Sequence, residues 1–169
     1  VDHMACPYFG AVYLTKAFFE DFSSRKSGHI LNVTSAASLA GFRGANTYGA
    51  ARWAMRGMSQ FLRADLADLG IGVTLLNASE ISGTSYFDNA PGKAGADSHD
   101  RIPWLFQLPI LTWFNGTTQS TARAALNGVE GGTAEVLYPQ VLVAPFKLFG
   151  DLFPELLHHC LRLGPKGRR

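Results

Sequence analysis

The 169 residues are 47% apolar and carry a formal net charge of +2. That is long enough for one domain with a sizeable core, and too weakly charged to imply a nucleic-acid partner, since Lys and Arg are scattered apart from the tail Lys166-Gly-Arg-Arg169. Cys6 and Cys160 stand far apart without a CxxC, and the five histidines form no HExxH or comparable ligand set, so neither a disulfide framework nor a metal centre is expected and a reduced, cytoplasmic compartment fits best. No run approaches the roughly eighteen apolar residues of a spanning helix. The start, Val1-Asp-His-Met4, has no basic region followed by an apolar core, and reads as the later part of something longer.

From Tyr8 to Phe22 the apolar positions Ala11, Leu14, Phe18 and Phe22 recur at three or four and predict an amphipathic helix, ended by Ser23 to Gly28. His29 to Ser35 is a short apolar run bounded by Gly28 and small residues, the pattern of a buried parallel strand. Arg43-Gly-Ala-Asn46 reads as loop. A helix follows from about Tyr48 to Leu69, with Met55, Met58, Leu62, Leu66 and Leu69 on one stripe and Gly70 as its stop. Gly72 to Ala78 is a second buried strand, so strand, loop, helix and strand imply a parallel crossover and an open α/β sheet. Ligands on such sheets collect outside the carboxyl ends of the strands, where Ser35 and the residues after Ala78 lie. Tyr86 to Gly116 is irregular, and its segment Ile102 to Phe114 has the large aromatics that suit either a lid over a cleft or core packing. Thr117 to Val129 predicts a helix and Ala134 to Tyr138 a strand. Between Val141 and Leu163, Leu142, Phe146, Phe149, Phe153, Leu157 and Cys160 form an apolar face interrupted by Pro145 and Pro154. With few lysines on its polar side, docking on its own domain is the expectation and peripheral contact with a membrane surface the alternative.

Three residues in this frame form an acid/base constellation. Ser35 ends the first strand, Tyr48 follows thirteen residues later at a helix start, and Arg52 lies one turn beyond on the same helical face. A phenol, with a pKa near ~10, gives up its proton near neutrality only if a neighbouring cation stabilises the phenolate, while a nearby hydroxyl can hold a carbonyl or alkoxide oxygen. The trio suits carbonyl reduction or alcohol oxidation.

These residues and their flanks, Asn32-Val-Thr-Ser35 and Tyr48-Gly-Ala-Ala-Arg52, resemble the short-chain dehydrogenase/reductase family, whose hallmark is Ser, then Tyr about thirteen residues on, then Lys four beyond. The resemblance implies a Rossmann-like, doubly wound parallel sheet, NAD or NADP as cofactor, and a small hydrophobic alcohol or carbonyl compound as substrate. Tyr48 is then the general acid/base and Ser35 orients the substrate oxygen. Arg52 stands in for the lysine that holds the ribose and supports the phenolate, and Thr84 matches the threonine after the family's Pro-Gly turn beside the nicotinamide. The Met/Leu stripe on the helix after Tyr48 reads as core or subunit interface; the resemblance implies a homo-oligomer through that helix, and the stripe then puts Met55, Leu62 and Leu66 in the contact. The resemblance further implies a substrate loop between Tyr86 and Gly116.

Three positions depart from the family pattern: Pro7 stands where an asparagine helps hold a relay water, Arg52 replaces the lysine, and Ser79-Glu80 replaces Pro-Gly. No glycine-rich turn sits between a strand and a helix, so the dinucleotide cradle is not encoded in these residues. The expectation is that residues 1–169 are the carboxyl-terminal part of a single short-chain dehydrogenase/reductase-like domain, its sheet incomplete and this chain alone inactive. The alternative is a weak or inactive homologue that acts through subunit or protein contacts.

Overall fold

A computed structural model describes residues 2–41, 45–84 and 115–162. The chain opens with α1 (Asp2–Met4) and a π-helical turn (Ala5–Phe9), which feed α2 (Gly10–Arg25). Strand β1 (Gly28–Ser35) follows, then a 3-10 turn (Ala36–Ser38), α3 (Asn46–Leu66), a second 3-10 turn (Ala67–Leu69) and β2 (Ile71–Ala78). Two short strands, β3 (Ile81–Ser82) and β4 (Gly116–Thr117), pair with each other. The chain continues through α4 (Thr118–Glu130), β5 (Glu135–Tyr138), α5 (Gln140–Leu152) and α6 (Pro154–Arg162).

The main sheet is parallel, in the order β1-β2-β5. Successive strand residues point to opposite faces, and the packing sorts them accordingly. Ile30 from β1 and Ile71 and Val73 from β2 pack with Phe22, Leu62 and Leu66 of α2 and α3. Leu31, Leu76 and Ala78, one residue out of phase, pack with Ala125 of α4 and Val136 of β5. Helices therefore cover both faces, and the doubly wound parallel sheet read from the sequence is the architecture observed. β2 is the centre: all of its residues but Gly72 are buried, which explains its near-continuous apolar run.

The helix after Tyr48 begins earlier than expected, so Asn46 is helical rather than loop. Its end matches: Gly70 takes the left-handed conformation with φ 70° that a glycine after the last turn supplies without a Cβ clash. Met55 and Leu66 are buried and Leu62 packs on β2, so this stripe faces the chain's own sheet and not a subunit partner. The helix before β1 differs more. It has no buried residue, and Leu14 and Phe18, expected on an inner face, are exposed, as are Tyr13 and Phe19.

At the carboxyl end Pro145 is accommodated inside α5, whereas Pro154 opens a new helix, the first-turn position where its missing N–H costs nothing. Leu157 and Leu161 dock on Ala40 with Phe146 beside them. Phe149 and Phe153, expected on that apolar face, are instead exposed. The loop residues Arg43 and Gly44, the aromatic segment from Ile102 to Phe114 and the basic tail lie outside the described residues. No helix among the described residues is long and apolar enough to cross a membrane.

Candidate active site

Ser35 is the last residue of β1 and caps the 3-10 turn that follows, its Oγ accepting from the Ala37 N–H at 3.3 Å. A hydroxyl has one proton to donate and lone pairs to accept. Because the cap engages a lone pair, the O–H remains able to donate to a ligand oxygen.

Tyr48 lies in the first turn of α3, half-buried. The Arg52 guanidinium sits over its ring at 4.8 Å from the centroid, and the His3 imidazole meets it edge-on at 6.4 Å and 86°. The four-residue spacing thus brings phenol and cation together as expected. Arg52 Nε is shut away from solvent and has no hydrogen-bond partner, an arrangement that costs free energy unless an acceptor arrives.

Two hydrogen-bonded ties fix the strand against the helix. Thr34 Oγ1 donates to the Arg52 carbonyl at 3.4 Å. About two turns further along α3, Asn32 Nδ2 donates to Ser59 Oγ at 2.9 Å, and that hydroxyl donates to the Met55 carbonyl at 2.8 Å. Both Asn32 and Thr34 are buried. Serine strand and tyrosine helix are thereby tied at two heights.

Thr84 follows β3 and is exposed, its Oγ1 donating to the Ile81 carbonyl at 3.1 Å. Among the described residues no hydrogen bond joins it to Ser35, Tyr48 or Arg52. Ser79, in place of the family's turn residue, is held by its N–H to the Tyr138 carbonyl at 2.8 Å.

Sequence reasoning missed a buried ring of polar groups beside the site. Ser38 Oγ donates to Asn77 Oδ1 at 2.6 Å, and Asn77 Nδ2 donates to Glu135 Oε1 at 2.7 Å. Arg56 Nε donates to the same oxygen at 3.1 Å, and Arg56 Nη1 reaches the Ser38 carbonyl at 3.4 Å. Ser38 and Asn77 are fully buried. The available signal was Asn77 within an apolar strand run, since a buried amide must find partners. Deeper in the sheet, His29 Nε2 lies 2.8 Å from Thr74 Oγ1. Burial, with the Arg63 charge adding to it, pushes the His29 pKa below its ordinary value. Among the described residues no cluster of three or more His, Cys, Asp or Glu could hold a metal ion.

The model of the family described as short chain dehydrogenase matches residues 2–92. A 3-hydroxy acid dehydrogenase from Escherichia coli, described as NADP-dependent, is 35% identical over 115 residues, covering 59% of this chain and 46% of its own length. An oxidoreductase of Botryotinia fuckeliana is 38% identical over 72 residues, covering 43% of this chain and 26% of that protein. The chain thus spans about a quarter to a half of the curated relatives it matches. Among solved structures, a short chain dehydrogenase from Burkholderia cenocepacia in complex with NADP is similar at a TM-score of 0.71 and 22% identity, over 96% of this chain and 58% of that one. A bulky-bulky ketone specific alcohol dehydrogenase from Comamonas testosteroni is similar at a TM-score of 0.61 and 18% identity, over 90% of this chain and 51% of that one.

Proposed function

The chain belongs to the short chain dehydrogenase family, and we propose that it carries the acid/base half of an NAD(P)-dependent oxidoreductase site that interconverts a small hydrophobic alcohol and its carbonyl compound. Residues 1–169 form the carboxyl-terminal part of one such domain in this reading. The observation that carries it is the Arg52 guanidinium over the Tyr48 ring with Nε buried and unpartnered, together with a Ser35 hydroxyl whose proton is free.

When bound, the nicotinamide cofactor supplies or accepts the hydride. Arg52, Tyr48 and Thr84 are the residues that would hold it, and the orphaned Nε fits this role, because a ribose oxygen is the kind of acceptor it lacks. The E. coli relative described as NADP-dependent and the neighbour in complex with NADP support the cofactor class. In reduction, Ser35 donates a hydrogen bond to the carbonyl oxygen and Tyr48 delivers the proton to it. In oxidation the Tyr48 phenolate takes the alcohol proton, with the Arg52 charge at close range to stabilise it. Arginine differs from lysine here in one consequential way: the planar guanidinium stays protonated and cannot pass protons onward. The site therefore binds and polarises but relays poorly, and its turnover is slow.

Assembly into a homo-oligomer belongs to the same reading, with the contact made by the exposed apolar side chains of α2 and α3, Tyr13, Leu14, Phe18 and Phe61, and not by Met55, Leu62 and Leu66.

The test is turnover of hydrophobic ketones with NADPH or NADH by the full-length protein. Arg52→Lys should raise the rate about tenfold or more, corresponding to about 1.4 kcal/mol of transition-state stabilisation. A Tyr48→Phe variant with an unchanged, measurable rate would remove Tyr48 from the mechanism.

A further inference from the structure

We propose that a cavity between α3, the segment after β1 and α6 binds a small carboxylic acid with a flat aromatic body. The cavity has a volume of about 440 Å³, within the range of small-molecule sites. Ala37 and Ala40 form one wall and Gly49, Ala50 and Trp53 another, while His158 and Arg162 reach it from α6. Ser35, Tyr48 and Arg52 are not among the residues that line it. Successive helical residues turn by about 100°, which puts Gly49 and Trp53 on a flank of α3 about 100° round from Tyr48 and Arg52. This is therefore a second site and not the acid/base cleft.

The walls suit a flat body. Alanine and glycine side chains let a ring approach the backbone closely, and a Cβ added at Gly49 would meet nothing nearer than the Ala37 carbonyl oxygen at 3.8 Å. Trp53 leaves 49% of its surface open beside this space, an apolar plate against which a second ring can stack. Arg56, itself anchored to Glu135, lies 6.0 Å from the Trp53 ring centre and helps to hold the indole in place. The Ala37 N–H is also the group that bonds Ser35 Oγ, so an occupied cavity abuts the turn that positions the serine.

Charge selects the ligand class. His158 and Arg162 are four apart on α6 and so share one helical face. No acidic residue lines the cavity, and no ion pair among the described residues engages either of these two side chains. A guanidinium presents paired N–H donors that match the two oxygens of a carboxylate. The His158 ring and the Asn46 amide, which also lines the cavity, can donate further hydrogen bonds. A neutral ligand would leave the Arg162 charge unmatched. Inorganic phosphate would lack the body that the apolar walls accommodate.

The test is calorimetric titration of the full chain with 2-naphthoate and with 2-naphthamide, which share a body and differ in charge. The acid should bind with a Kd of about 0.1 mM or tighter, and the amide at least about tenfold more weakly. Arg162→Gln, at an exposed position, should bring the acid down to the affinity of the amide and leave the amide unchanged. Ala50→Phe, also at an exposed position, fills the cavity and should abolish binding of both while the far-ultraviolet spectrum is retained. Tyr48→Phe should alter neither. Absence of acid binding up to about 5 mM, equal affinity for acid and amide, binding that persists in Ala50→Phe, or binding lost in Tyr48→Phe would each overturn the proposal. The titration needs neither turnover nor cofactor, so its failure leaves the catalytic reading untouched.

Discussion

Glu135 joins three elements through one oxygen, and replacing it with alanine tests whether the missed polar ring holds the site in place. Oε1 accepts from Asn77 on β2 and from Arg56 on α3, and Arg56 in turn reaches the Ser38 carbonyl just beyond Ser35. The side chains of Arg56 and Glu135 are 14% and 23% exposed. An ion pair in open solvent contributes about 0–1 kcal/mol, whereas removing one partner of a buried pair costs about 3–5 kcal/mol because the other charge is stranded. This pair lies between those limits, and the Asn77 amide, itself fully buried, loses its acceptor as well, so a cost of about 2–4 kcal/mol follows. With a urea dependence of about 2 kcal/mol per molar, the unfolding midpoint of Glu135→Ala should fall by about 1–2 M. Glu135→Gln keeps an acceptor for Asn77 and should lose roughly half as much. Arg56→Ala combined with Glu135→Ala should be less destabilising than the sum of the two by about 1 kcal/mol or more. A midpoint shift below about 0.3 M for Glu135→Ala, or strict additivity in the cycle, would refute the view that the ring is a coupled structural unit.

Two smaller tests address the sheet and its turns. Gly70→Ala combines a left-handed backbone with a Cβ placed 2.5 Å from the Lys26 carbonyl oxygen, while Gly132→Ala shares the positive φ but meets nothing within 4 Å. By chemical denaturation, Gly132→Ala should cost about 1 kcal/mol and Gly70→Ala at least twice that; equal costs would show that the Lys26 backbone yields freely. For His29, Thr74 Oγ1 spends its proton on the Thr133 carbonyl at 2.7 Å, so the imidazole Nε2–H is the donor and Nδ1, packed against Gly72, is the nitrogen left to protonate. A lowered folded-state pKa means the unfolded chain binds the proton first. Stability should therefore be full above the ordinary imidazole value of 6.5 and decline as the pH falls below it towards the folded value. His29→Gln should flatten that part of the profile in urea titrations at pH 7.5 and 5; an unchanged slope would place the pH dependence elsewhere.

The order of strands and helices was legible because burial on two faces leaves a plain mark. β2 reads as a nearly continuous apolar run because α3 and α4 both cover it. The start of α4 was legible to within a residue because Thr117 and Ser120 form a reciprocal cap. Periodicity misled at α2, where Leu14 and Phe18 have helical spacing yet face outward. Spacing reports that a helix has an apolar side, but not what that side meets. The same ambiguity placed Met55, Leu62 and Leu66 at a subunit contact when they serve the chain's own core. The polar ring was illegible for a different reason: Ser38, Arg56, Asn77 and Glu135 come from four elements, and no local pattern announces a contact made only by the fold.

The candidate site depends on that non-local part more than on the motif that identifies it. Ser35 and Tyr48 belong to different elements, and a hydroxyl misplaced by about 1 Å can cost about a hundredfold in rate. Their separation is set by neighbours with no chemical task. Thr34 and Asn32 occupy the β1 positions that face α3 and bond to it, while Ser35, next in the alternation, stands where the strand ends and the cap to Ala37 turns the chain. One step of register between β1 and α3 would send Asn32 and Thr34 to the α4 side, where the packing partners are Leu31, Leu76 and Ala125, and would leave the Ser59 hydroxyl without Asn32. Two buried polar ties thus penalise the slipped arrangement as well as stabilising the observed one. This is why a strand otherwise suited to Val and Ile carries Asn and Thr at those two positions.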